Sequence, residues 1–194
     1  MKKFASKSNN LPVPASTGRS LQQAKSLLKL TDSVLGGDRS LTSRDAWLDE
    51  LVAWADENRI PEKVFPRDAD AILALRLLNL YGRELSYLPE SIGNLTNLEH
   101  LYLGNNDLIV LPDSVGDLTN LKVLYLWRNY FSELPDSIGN LANLEVLDLD
   151  HNLLSVLPES IGNLTNLKCL HLESNGLVLL PDSIGNLTDL RIFG

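Results

Sequence analysis

LYLGNNDLIVLPDSVGDLTNLKV, residues 101–123, runs straight into LYLWRNYFSELPDSIGNLANLEV at 124–146 and LDLDHNLLSVLPESIGNLTNLKC at 147–169. The same pattern opens the run at 78–100, LNLYGRELSYLPESIGNLTNLEH, and closes it at 170–192, LHLESNGLVLLPDSIGNLTDLRI. Five copies of 23 residues stand head to tail without a gap. A fixed period of this length marks a solenoid, in which each unit buries its apolar edge only against its neighbours. The alternating LxL of each copy reads as a short strand, and parallel strands stack about 4.8 Å apart with Leu101, Leu103 and their equivalents facing inward. The stretch LPxSxGxLxxL returns on the opposite side, where Ile92, Val115, Ile138, Ile161 and Ile184 are expected to be buried. Asn106, Asn129, Asn152 and Asn175 fall at the corner after the strand, where an inward amide can satisfy backbone groups of the turn. The first copy has Arg83 there, which predicts a looser, solvated corner.

Leu98, Leu101, Leu103, Asn106 and Leu108 supply LxxLxLxxNxL, and the next three copies fit it too. Roughly two thirds of the chain therefore resembles leucine-rich repeats. The LPxSIGNLTNLxxLxL type is similar to that of intracellular Ras-suppressor and Scribble-type proteins, plant intracellular Ras-group proteins and many bacterial proteins. The resemblance implies an α/β fold: a right-handed solenoid with a parallel β concave face, short helical or 3₁₀ segments on the convex side and a helical N-terminal cap. It implies signalling-type protein binding and carries over no partner.

The chain divides into a flexible polar tail at 1–18, a helical region and solenoid cap at 19–75, and repeats at 76–194. Residues 20–35 place Leu21, Ala24, Leu27, Leu28 and Val34 at helical spacing. A second helix is predicted over 43–58, with Thr42 and Asp45 as start signal and Trp47, Leu48, Leu51, Val52 and Ala55 as one apolar stripe. Pro61 and Pro66 interrupt the chain, and Asp68 caps a short segment at 69–75. Residues 43–75 then cover the leucine layer that the first repeat would otherwise expose. A sixth strand begins at Leu190 with no polar closing helix, so this end is expected to be either the mark of a truncated product or an open edge covered by self-association.

The net charge of −8 argues against nucleic acid as a partner, because phosphate binding needs a basic stripe. Residues 1–44 carry a net +6 and the remainder −14. No run of about 18 apolar residues occurs, so no membrane span is expected. The single cysteine, Cys169, excludes an internal disulfide and favours an intracellular compartment. The leader lacks the apolar core of a secretory signal and has the loose composition shared by bacterial type III secretion leaders and organelle transit peptides. A cytoplasmic protein is expected, or a bacterial effector secreted into a host cell if that leader is a secretion signal.

Functional information should lie where the copies differ, on the solvent side of the strands. One column reads Leu77, His100, Val123, Val146 and Cys169, and the next Asn79, Tyr102, Tyr125, Asp148 and His171. A third reads Tyr81, Gly104, Trp127, Asp150 and Glu173, with Asn105, Arg128, His151 and Ser174 beside it. Tyr81, Tyr102, Tyr125 and Trp127, flanked by Arg128, form an aromatic patch on the early repeats, with His100 beside it. Asp148, Asp150 and Glu173, with His171, form an acidic patch on the later ones. Exposed Tyr, Trp and Arg together are the composition of interface hot spots, and the acids would select a basic region of a protein partner. Cross-strand aromatic pairs that only stabilise the sheet are the plainer alternative.

Chemistry finds little footing. Asp148, Asp150, His151, His171 and Glu173 match no dedicated metal spacing. Cys169 and His171, with Asp148 beside them, have the composition of a thiol or metal-assisted hydrolase. Residues i and i+2 on a strand nonetheless lie about 7 Å apart, and a concave sheet offers no oxyanion hole. A non-enzymatic interaction module without a cofactor is expected, with no catalytic residues.

Overall fold

The computed structural model describes residues 46–194. The tail at 1–18, the helix expected at 20–35 and the helix start at Thr42 and Asp45 lie outside the described residues.

Each repeat contributes one three-residue strand: β1 (Leu77–Asn79), β2 (His100–Tyr102), β3 (Val123–Tyr125), β4 (Val146–Asp148), β5 (Cys169–His171) and β6 (Arg191–Phe193). They pair in chain order in a single parallel sheet. Parallel neighbours need a crossover of a dozen or more residues. Here it runs along the opposite face through the 3₁₀ turns Glu90–Asn94, Asp113–Asp117, Asp136–Asn140, Glu159–Asn163 and Asp182–Asn186. A proline in extended backbone precedes each turn, its ring fixing φ at the point where the chain changes direction. Between the two faces lies one continuous leucine core, in which Leu78, Leu101, Leu124, Leu147 and Leu170 are fully buried. Ile92, Val115, Ile138 and Ile161 are buried as expected, but Ile184 is only partly so. Among the described residues no further turn packs over it.

The corner asparagines each serve two repeats. The Asn106 amide donates to the Leu103 carbonyl in its own copy (2.8 Å) and to that of Leu80 in the copy before (2.9 Å). Its oxygen accepts from the N–H groups of Arg83 and Leu85. Asn129, Asn152 and Asn175 repeat both donor bonds, each accepting from a single N–H, that of Leu108, Phe131 and Leu154 in turn. The first corner is therefore not loose, as Arg83 had suggested. It is closed by the asparagine of the second copy. A second ladder escaped the sequence reading: Asn97, Asn120, Asn143 and Asn166 donate at 2.7–2.8 Å to the carbonyls of Leu73, Thr96, Thr119 and Ala142. On the convex side the turns nest so closely that a Cβ at Gly116 would sit 2.5 Å from the Ser137 carbonyl oxygen.

Ahead of the repeats, α1 (Ala46–Glu57) buries Leu51, Trp54 and Ala55 and packs against the first 3₁₀ turn. Its buried stripe therefore centres on Trp54, with Trp47, Leu48 and Val52 only partly covered. Positions 51, 54 and 55 share one face at i, i+3 and i+4. The Trp54 indole donates to the Tyr87 carbonyl (3.3 Å), and the Tyr87 hydroxyl donates to Glu57 (3.0 Å). Burial, then Glu57, pushes that hydroxyl up to about 12. Arg67 ties this region together through Asp56 (2.8 Å) and the carbonyls of Ile60 (2.7 Å) and Phe65. Then α2 (Ala69–Leu73) starts at Asp68, whose carboxylate accepts from the Ala71 N–H (3.0 Å), and it stops short of the expected residue 75.

The period breaks once. Strands β1 to β5 pair residues 23 apart, whereas β6 sets Arg191 opposite Cys169 and Ile192 opposite Leu170, 22 apart. A one-residue slip exchanges the faces of a strand. It brings Phe193 over His171, their rings 4.5 Å apart and nearly parallel at 14°.

Candidate functional site on the concave face

The register reproduces the columns read from the sequence. Leu77, His100, Val123, Val146 and Cys169 form one row, and Asn79, Tyr102, Tyr125, Asp148 and His171 the next. Every one of these side chains is half-buried or exposed, with the fully buried leucine of each strand between them.

The early repeats bring their aromatics into contact. Tyr102 and Tyr125 stack at 5.0 Å between ring centroids and 19° between planes, and His100 meets Tyr102 edge-on at 6.2 Å. Tyr81 and Trp127 are two repeats apart, yet their rings meet at 5.3 Å and 32°. Trp127 lies over Gly104, where a Cβ would come within 2.5 Å of the indole nitrogen. Offset pairs of this kind favour each other beyond simple area burial. The Arg128 guanidinium stands 5.5 Å from the Trp127 ring centroid. Burial, helped by Tyr102, Asp148 and Cys169, pushes the Tyr125 hydroxyl up.

The later repeats hold their acids through the backbone. Asp148 accepts from the Asp150 N–H (3.1 Å), as Asn79 does from that of Tyr81 (3.1 Å). Asp150 accepts from the Glu173 N–H (2.6 Å), and its second oxygen is 4.0 Å from His171 Nδ1. Burial raises the Asp150 carboxyl above its usual range, with Asp148 and Glu173 adding to the effect and the Glu173 N–H and His171 opposing it. Glu173 is exposed. Trp127, Arg128, Asp148, Asp150 and His151 line a shallow, open depression where the two patches meet.

Two regularities of this face went unread in the sequence. Gly82, Asn105, Arg128, His151 and Ser174 occupy the same turn position, all with φ between 52° and 62°. Glycine and asparagine in the first two copies were the available signal, since those residues most readily adopt this backbone. Just ahead of the strands, Arg76, Glu99, Lys122, Glu145 and Lys168 alternate in sign at the repeat period. Glu99 pairs with Arg76 (2.7 Å) and Lys122 (2.6 Å), and Glu145 with Lys168 (2.5 Å). Lys122 holds the Glu99 carboxyl below the usual range, helped by Arg76, and Lys168 does the same for Glu145.

Cys169 is a half-buried free thiol whose row neighbours are Val146 and Arg191, while Asp148 stands opposite His171 in the adjoining row. Among the described residues no group of three or more His, Cys, Asp or Glu side chains is placed to hold a metal ion. Nor is any helix there long and apolar enough to cross a membrane.

Comparison with known proteins fits this geometry. Residues 115–193 match the family model described as a leucine-rich repeat region, and residues 97–118 match that of the single leucine-rich repeat. No curated protein matched the chain. Among solved structures, a Leptospira interrogans leucine-rich-repeat protein is 37% identical with a TM-score of 0.53, over 64% of this chain and 39% of its own. The ectodomain of the receptor kinase SOBIR1 from Arabidopsis thaliana is 33% identical with a TM-score of 0.51, over 60% of this chain and 66% of its own. The ectodomain of the Arabidopsis thaliana receptor kinase GASSHO1/SCHENGEN3, solved in complex with CASPARIAN STRIP INTEGRITY FACTOR 2, is 36% identical with a TM-score of 0.52. That match covers 61% of this chain and 15% of the receptor. The chain thus spans less than two thirds of the length of each.

Proposed function

This chain is a leucine-rich-repeat protein, and we propose that its concave face docks a polypeptide partner. Tyr102, Tyr125 and Trp127 grip that partner, with Tyr81 and His100 at the margin of the grip and Arg128 on the rim of the same surface. Asp148, Asp150 and Glu173, beside His171, select a basic region of it and speed the encounter. One observation carries the reading. The convex copies are nearly identical, while the solvent-facing strand positions vary and gather aromatic side chains into one contiguous patch beside an acidic one. A stack held by its inner leucines has no need of such a patch for stability. A related solenoid solved with CASPARIAN STRIP INTEGRITY FACTOR 2 bound lends support by analogy.

The test is affinity capture from lysate with the parent chain and with a folded Tyr102→Ala, Tyr125→Ala, Trp127→Ala variant. A protein retained by the first and lost by the second supports the concave face. Equal retention by both moves the site elsewhere and sinks the reading.

A further inference from the structure

The concave face already holds one cation of its own where the two patches meet. Arg128 stands over the Trp127 ring at the rim of the depression that Asp148, Asp150 and His151 complete. It reaches no carboxylate: among the described residues neither Asp148 nor Asp150 pairs with any lysine or arginine. A backbone N–H fixes one oxygen of each acid, so both carboxylates are oriented before a ligand arrives. Arg128 is rooted on the rim by a left-handed backbone (φ 52°) and by its N–H bond to the Asp150 carbonyl (2.8 Å).

Resting on the reading of this face as a polypeptide-docking surface, we infer that the depression is the subsite for one arginine side chain of the bound segment. Arg128 is the resident cation that this arginine displaces from Trp127. A guanidinium is planar, stacks on an aromatic face and forks two N–H groups toward a carboxylate. The depression offers the aromatic wall and the carboxylates together, and an ammonium would meet them as a point charge, without the planar stacking or the two-pronged fork. The −14 carried by residues 45–194 favours a cationic segment over any other polypeptide. The arrangement sets an unusual sign: truncating an arginine on the binding face strengthens binding.

The experiment follows the Trp127 indole N–H resonance of the full chain by NMR, with N-acetyl-arginine-N-methylamide as probe and its lysine and glutamine counterparts as controls. Parent, Arg128→Ala and Asp150→Asn are compared, each verified as folded by its melting temperature. Arg128→Ala is expected to bind the arginine probe about threefold more tightly than the parent, the scale of a lost cation–π competitor. That gain should persist at about 0.5 M salt, where a mere change in surface charge is screened. Asp150→Asn is expected to bind about tenfold more weakly, as for a lost charge-assisted pair. The glutamine probe should leave the resonance unmoved, and the lysine probe should bind more weakly than arginine. No gain in Arg128→Ala, a gain that vanishes with salt, or equal binding of the glutamine probe overturns the subsite. So does an indole resonance that shifts with protein concentration, or on neutralising the basic residues of 1–44, because the occupant is then a second copy or the chain's own basic segment. None of these results would alter capture through Tyr102 and Tyr125, so the docking surface stands or falls separately.

Discussion

The ring of Trp127 rests against that of Tyr81, 5.3 Å away, although a whole repeat separates them. Gly104, the residue between them in the same column, supplies the room: any side chain there would meet the indole. A gap in the middle copy thus turns two separate aromatics into one platform.

Gly104→Ala should lift the indole off Tyr81 without touching the leucine core. The expected loss of stability is about 1 kcal/mol, the worth of an aromatic pair. Capture of a partner should fall as far as it does in Trp127→Ala. Urea denaturation and pull-down on the same preparation check both, and unchanged capture would show that the platform plays no part.

Asn129→Ala leaves the Leu108 N–H without its acceptor and removes one of the two amide donors from each of the buried Leu103 and Leu126 carbonyls, which keep Asn106 and Asn152. One orphaned buried N–H and two weakened carbonyls predict a loss of about 2 kcal/mol. Arg83→Asn, which restores the repeat pattern at the first corner, should change stability by no more than about 0.5 kcal/mol, since Asn106 already closes that corner. A large gain from Arg83→Asn would contradict the backward-running ladder.

Gly116→Ala forces a methyl group to within 2.5 Å of the Ser137 carbonyl oxygen, and backbone must move to admit it. Overpacking of this sort predicts a loss of about 2–3 kcal/mol. Gly185 has the same place in its repeat with nothing within 4 Å of an added Cβ. Gly185→Ala should therefore leave the denaturation midpoint unchanged or slightly raised, and a comparable loss at both positions would rule out nesting as the cause.

Burial raises the Asp150 carboxyl above its unfolded value near 3.8, so the folded chain holds this proton more tightly than the unfolded one. As pH rises through that window, ionisation costs the folded state, and Asp150 is a net burden at neutral pH. Asp150→Asn should be more stable than the parent at pH 7, with the advantage fading below pH 3.8, where both states are protonated. Glu99 and Glu145 act in the opposite sense: their pairing contributes above pH 4.5 and is lost as pH falls through their lowered values. Urea midpoints of variant and parent, compared pairwise across pH, separate the two.

The repeat made the strands, the leucine core and the concave rows legible, because a 23-residue period with alternating leucines admits one stacking. What stayed hidden depends on contacts between copies. That Asn106 serves the copy before it cannot be seen from one copy alone, which is why Arg83 misled. That Trp54, not Trp47, anchors α1 depends on which face of the helix meets Tyr87. The slip at β6, which sets Ile192 opposite Leu170 and Phe193 opposite His171, lies one residue off the 23-residue period and so could not be read from it. At the site, the aromatic and acidic columns were readable by alignment. The reach of Trp127 across Gly104 was not, since a glycine in a variable column looks like an absence of information.

Because each corner asparagine belongs to two repeats, no unit owns its turn. When one repeat opens, a carbonyl of the repeat before it loses one amide donor and an N–H of that same repeat loses its acceptor, so opening spreads backward along the stack. The leucines decide whether the solenoid is stable at all. The asparagines decide how many units come apart together, and hence whether the concave face is lost as a single block or shed one strand at a time.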